Sequence, residues 1–269
     1  MNLSNRVALV TGGGSGIGRA LALALARRGC HLALADIDRI RLKETAGMLA
    51  NLGVRATLHV LDLADRDAVR ALPGAVYAAH QRIDILVNNA GVALGGSFEQ
   101  LSEEDFDWLF DINFHAVVRM TRAFLPILRQ SDDARIVNVS SIYGIVSPPG
   151  QSAYSASKFA VRGFSNALRH ELEGSKVGVS VVHPGGVATS IARDARAPHG
   201  APQEETERRR RAAEKLLRMA PEAAGELIAR GIERRQARIL VGSDARAVSL
   251  LERLSPVHYW RYLKGVAAR

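Results

Sequence analysis

The chain has 269 residues, 47% hydrophobic and 23% charged, the proportions of an ordinary globule with length for one large domain or two small ones. Its formal charge of +9 sits largely in arginines of the last third. No nucleic-acid motif or aromatic interleaving accompanies that excess, so nucleic acid is set aside as a partner. The single cysteine, Cys30, excludes an internal disulfide and reads as a buried structural thiol in a reducing compartment. With no N-terminal signal and no apolar stretch near the ~20 residues that span a bilayer, a cytoplasmic protein is expected.

Short, continuously apolar runs alternate with longer helical patterns. RVALV (6–10) precedes a helix through GRALALALARRG, and HLALAD (31–36) one through IRLKETAGMLANLG. ATLHVLD (56–62) precedes RDAVRALPGAVYAAH, and DILVNNAG (84–91) a long helical segment from Ser102 to about Arg129. ARIVNVSS (134–141) leads to a helix bearing Tyr154, KVGVSVVHPGG (176–186) follows it, and ARILVG (237–242) closes the series. Apolar runs without alternation suit strands buried on both faces. The repeated β–α order predicts an α/β fold, a single-domain Rossmann-type doubly wound parallel sheet with helices on both faces. Its ligand crevice should lie beyond the carboxyl ends of the strands. Residues 1–242 form this domain, with the charged, proline-interrupted 189–220 segment expected as a lid. Residues 243–269 form a basic, amphipathic extension.

VTGGGSGIGRA joins the first strand to the first helix. Glycines there allow a tight turn and let backbone N–H groups at a helix N-terminus approach a pyrophosphate. Gly12, Ser15, Gly16, Ile17 and Gly18 are the candidate contacts, spaced TGxxxGxG rather than GxGxxG. Asp36 ends the second strand, where its carboxylate can accept from ribose hydroxyls and would repel a 2′-phosphate, favouring NAD over NADP. Ser15 and Ile37 offer no cation for that phosphate, while Arg39 and Arg41 lie near in sequence. Capping of the next helix is the other reading of Asp36.

In QSAYSASKFA, Tyr154 precedes Lys158 by four residues, which puts both on one helical face. A free phenol, with a pKa near ~10, is a weak base at neutral pH. An adjacent cation favours the phenolate, so Tyr154 is the candidate general base for alcohol oxidation and acid for ketone reduction. Lys158 would also hold the nicotinamide ribose. Ser141, at a strand end 13 residues earlier, can hold the substrate oxygen, with Ser140 its rival. The eight histidines show no metal-ligand spacing, so no metal is expected. His183, before Pro184, reads as structural.

Thr11-Gly12, Gly16, Gly18, NNAG (88–91), Asn113, Ser141, YSASK (154–158) and PGGVAT (184–189) occur in an order that resembles the short-chain dehydrogenase/reductase family. The resemblance runs from about Val7 to Gly242. It selects Ser141 over Ser140. It implies that Asp62 and Leu63 contact adenine, and that Asn89 serves the cofactor side of the NNAG turn. Val187 and Thr189 would hold the nicotinamide carboxamide, and Asn113 a water linked to the lysine. It also implies a homodimer or homotetramer paired through the helices holding Asn113 and Tyr154.

Val92–Ser97, Ile142–Gln151 and the segment after Gly186 should wall the substrate side. Val92, Leu94, Ile142, Tyr143, Val146, Val187 and Ile191 give those walls an apolar character and predict an apolar secondary alcohol or ketone. A 3-oxoacyl-carrier reductase and a non-catalytic nucleotide-binding protein on the same fold are the rival readings. The C-terminal VSLLERLSPVHYWRYLKGVAAR could rest on an anionic membrane surface, pack against a second subunit, or cover the crevice.

Overall fold

A computed structural model describes residues 1–198 and 200–267. Seven parallel strands run in the order β3-β2-β1-β4-β5-β6-β7. They are β1 (Val7–Thr11), β2 (His31–Asp36), β3 (Ala56–Val60), β4 (Ile85–Asn88), β5 (Ala134–Val139), β6 (Val177–Pro184) and β7 (Arg238–Val241). The order reverses between β1 and β4, so their loops diverge and leave a crevice at their carboxyl ends. The chain is one domain with helices on both faces.

Strand alternation divides the core in two. Ala8, Val10, Leu32, Leu34, Ile85 and Val87 face α1 (Gly16–Ala26), α2 (Arg39–Leu49) and α8 (Pro221–Glu233). Leu9, Ala33, Ala35 and Leu86 face α3 (Arg66–His80), α5 (Ala116–Leu128) and α6 (Ser152–Glu171). Alanines on α1 let α8 approach closely: a Cβ on Gly225 would come within 2.5 Å of the Ala20 carbonyl carbon. Not every apolar run is buried on both faces. β3 is an edge strand and leaves Leu58 and Val60 exposed.

At the amino ends of the strands, Asp84 is fully buried. It accepts from Val7 N at 2.9 Å, Arg82 Nε at 2.9 Å, Arg6 at 3.0 Å and Ser131 Oγ at 2.6 Å. Burial pushes its pKa up, but these donors prevail and hold the carboxyl below its ordinary value.

The segment from Ser102 to Arg129 is not one regular helix. α4 (Glu103–Phe110) runs into a π-helical turn, Asp111–His115, before α5 begins. The 190–220 region carries α7 (Gln203–Leu216), whose Arg208 and Arg211 are exposed, while Arg209 pairs with Glu205, Arg211 with Glu207, and the half-buried Arg210 donates to Ala195 O at 2.7 Å. α9 (Ser243–Leu254) and α10 (Tyr259–Ala267) end the described chain.

Candidate active site

The glycine loop is shaped for a close approach. Gly12 and Gly16 have φ of +65° and +51°, which favour glycine. A Cβ on Gly18 would overlap the Gly12 carbonyl oxygen, and one on Gly16 would meet Thr189 Cγ2 at 3.1 Å. Ser15 is the N-cap of α1 with no side-chain cap bond, and Ile17 packs against the core from the first turn. Free N–H groups of α1 thus face a cleft of about 580 Å³ between Ser15, Gly16 and Arg41 on one side and Thr189, Arg193 and Glu214 on the other. This cradle fits an anionic dinucleotide.

Asp36 accepts from Gly14 N at 2.9 Å and Asp38 N at 3.1 Å, so its carboxylate is pinned beside the loop. It does not cap α2. Asp38 does, accepting from Ile40 N and Arg41 N. The Arg41 guanidinium is drawn to Asp38 (3.3 Å) and Asp194 (3.7 Å). Asp62 accepts from Ala64 N, and the Leu63 carbonyl from Arg119. Asn89 Nδ2 donates to the Thr11 carbonyl at 2.9 Å, joining the loop to the NNAG turn. Val187 is buried and bridges to Met219; Thr189 accepts from Ile191 N at 3.4 Å.

The structure brings Tyr154, Lys158, Ser141 and Asn113 together at the carboxyl ends of β4 and β5. Lys158 Nζ lies 5.7 Å from the Tyr154 ring centroid and donates to Val139 O at 3.3 Å. Tyr143 stands edge-on to Tyr154, at 6.1 Å and 87°. Ser141 Oγ accepts from Tyr143 N at 3.1 Å, which leaves the hydroxyl hydrogen to point elsewhere. Asn113, in the π turn, accepts from Val92 N at 2.8 Å and donates to Val92 O at 3.0 Å and Ser157 Oγ at 3.2 Å. A Cβ on Gly91 would press on both Asn113 Oδ1 and Lys158 Nζ.

The electrostatics differ from the simple expectation that Lys158 lowers the phenol. Burial pushes Tyr154 up to about 12, with the Ser141 hydroxyl pulling the other way. Burial also draws Lys158 down to about 8. In the chain alone desolvation governs both groups, because both are almost wholly removed from water.

Three contributors went unassigned from sequence. Thr11 Oγ1 donates to Val87 O and accepts from Asn89 N and Ala90 N. Ser140 Oγ donates to Lys158 O at 2.8 Å, and Ser157 Oγ to Tyr154 O at 2.8 Å. All are small hydroxyl residues in or beside a motif, and nothing in their spacing marks a role. Of the expected walls, Val92, Ile142, Tyr143 and Ile191 are half-buried, whereas Leu94, Val146 and Val187 are packed inside. The 189–220 segment reaches across through Arg196, which stacks on Trp108 at 4.9 Å and pairs with Asp105 at 3.4 Å. Tyr259 of α10 accepts from Ser147 N at 3.0 Å, so the extension touches the substrate-side loop. Among the described residues no cluster could hold a metal ion, and no helix is long and apolar enough to cross a membrane.

A cradle for a dinucleotide beside a buried tyrosine and lysine and a half-buried serine defines a class of nicotinamide-dependent oxidoreductase. A family model described as short chain dehydrogenase matches residues 6–200, and the chain belongs to the short-chain dehydrogenase/reductase family. SadH of Mycobacterium tuberculosis, which carries the name of an oxidoreductase, is 41% identical over all of this chain and 97% of its own. FabG of Thermotoga maritima, a 3-oxoacyl-[acyl-carrier-protein] reductase, is 35% identical over 71% of this chain and 78% of its own. A Burkholderia phymatum short chain dehydrogenase/reductase in complex with NAD superposes with a TM-score of 0.88, at 31% identity and 95% coverage of both chains.

Proposed function

We propose that the protein moves a hydride between NAD and an apolar secondary alcohol or ketone, with Tyr154 as the proton-transfer group. The observation that carries this reading is the buried Tyr154 phenol set between Ser141 and Lys158 beyond the carboxyl ends of β4 and β5. The bound nicotinamide supplies a hydride acceptor for the alcohol, or a hydride donor for the ketone. Ser141, its acceptor side occupied by Tyr143 N, turns its hydrogen to the substrate oxygen and fixes it. Tyr154, a neutral phenol when pushed up to about 12, is suited to hand a proton to a ketone oxygen. Taking a proton from an alcohol requires additional positive charge beside the phenol, of which Lys158 is this chain's own source. Asn113 holds the Val92 turn and thereby the Lys158 side of the pocket.

NAD is favoured over NADP because the pinned Asp36 carboxylate would face a 2′-phosphate, and Arg41 is already engaged by Asp38 and Asp194. The half-buried apolar walls favour an apolar substrate, and the 189–220 segment acts as its lid. Two copies pair through the outer faces of α5 and α6, where Phe114, Val118 and Phe164 line a groove of about 710 Å³.

A panel of alcohols and ketones with NAD(H) and NADP(H), including 2-octanol, tests the assignment. Tyr154→Phe should lose roughly 10²–10⁴-fold in turnover while binding NAD as before. A variant that retains turnover refutes Tyr154. Turnover confined to 3-oxoacyl thioesters with NADPH would assign the carrier-reductase reading, which the similarity to FabG supports.

A further inference from the structure

We infer that His183 is a positioning residue for Ser141, fixing the serine through a hydrogen bond from its ring to the serine's own carbonyl. His183 lies at the carboxyl end of β6 and is fully buried. Its Nδ1 is 2.9 Å from Ser141 O. A carbonyl oxygen can only accept, so Nδ1 carries the hydrogen and the neutral ring is held in one tautomer. Burial draws the ring down to about 4, which keeps it neutral at ordinary pH.

The bond lies just past the end of the β5–β6 ladder. Ser140 N donates to Val182 O at 2.8 Å and extends the β5–β6 ladder by one residue. Pro184 has no N–H and ends the row of donors on β6. The His183 ring supplies one more donor just where β5 runs out and Ser141 begins. Ser141 is then held at two points: its carbonyl by His183 Nδ1 and Gly144 N, each at 2.9 Å, and its hydroxyl oxygen by Tyr143 N. The other ring nitrogen, Nε2, is buried with no hydrogen-bond partner among the described residues. A histidine there is costly as mere packing, because an apolar side chain would leave no orphan. Among the described residues the bond to Ser141 is the only polar contact that accounts for it.

Ser141 can hold a substrate oxygen only if its hydroxyl is aimed to within a fraction of an ångström, and misplacement by about 1 Å can cost on the order of 10²-fold. Without His183 the Ser141 carbonyl keeps Gly144 N, so the peptide is not orphaned but is free to tilt. The inference rests on the reading of Ser141 given above.

The experiment measures turnover of 2-octanol, or of the secondary alcohol the panel returns, with NAD. It uses His183→Leu, His183→Asn, Ser141→Ala and the double variant His183→Leu/Ser141→Ala. Long-range proton–nitrogen NMR of the histidine rings in the unaltered protein accompanies it. We expect His183→Leu to lower kcat about 10-fold or more with KM for NAD within twofold. His183→Asn, whose amide nitrogen can take the place of Nδ1, should recover most of the loss. The double variant should be no slower than Ser141→Ala alone, because His183 acts through that serine. A ring with its hydrogen on Nε2 overturns the inference whatever the rates. So does wild-type turnover by His183→Leu, an asparagine no better than leucine, or an additive loss in the double variant. Unchanged turnover by Ser141→Ala would instead refute the role of the serine itself.

Discussion

Tyr154 feels two opposing influences. A cation stands beside it, yet burial raises its pKa and the Ser141 hydroxyl is what pulls the other way. A sequence shows the neighbour four residues away and not the loss of water, so the sign of the net effect was out of reach until the helix was seen packed. Glycine positions are the opposite case, since their need is steric and local. Gly18→Ala would drive a methyl into the Gly12 carbonyl and toward Asn89 Nδ2, 2.6 Å from the added carbon. The loop must shift, and NAD affinity measured by calorimetry should fall at least about tenfold, the equivalent of ~1.4 kcal/mol. Unaltered affinity would refute the close-approach account of this loop. Asp36→Ala should narrow the preference for NAD over NADP in the same titration.

Between elements, the site depends on how the turn after β4 is tied to the end of β1. Thr11 Oγ1 makes that tie by meeting two successive backbone N–H groups, of Asn89 and Ala90. Thr11→Val keeps the shape and removes both acceptor bonds, leaving two donors short of partners. A loss of about 2–6 kcal/mol is expected in urea unfolding, at ~1–3 kcal/mol per unsatisfied group. A change within 0.5 kcal/mol would show that the turn holds without it. The π turn at Asp111–His115 makes a related point. A helical repeat of 3.6 predicts continuity through Asn113, whereas the inserted turn swings its amide toward the Val92 backbone. Nothing in FDINFHAVVRM distinguishes the two, because the bond that selects the π turn comes from another loop.

Across the whole molecule, buried histidines link stability to pH. His80 and His183 are each drawn down to about 4 from 6.5, chiefly by burial. Both rings are neutral in the fold, while the unfolded chain takes up protons below about pH 6.5. Their contribution is therefore complete above pH 6.5 and is lost as the pH falls toward 4. At pH 5 the protein should be less stable than at pH 7 by on the order of 2 kcal/mol per ring. Urea midpoints at the two pH values check this, and an equal or higher midpoint at pH 5 contradicts it.

The sequence by itself determined the parallel α/β sheet, the glycine loop and the family. Each rests on features that survive in one dimension: continuous apolar runs, glycines where no side chain fits, and residue types at helical spacing. Only the tertiary structure decided that Asp38 rather than Asp36 caps α2, that β3 is an edge, and that His183 reaches the Ser141 carbonyl. It also decided that burial governs the Tyr154 phenol. Those outcomes depend on which groups lose water and which meet across the fold, as Asp36 meets Gly14 22 residues away and His183 meets Ser141 42 residues away, and neither is written in local order.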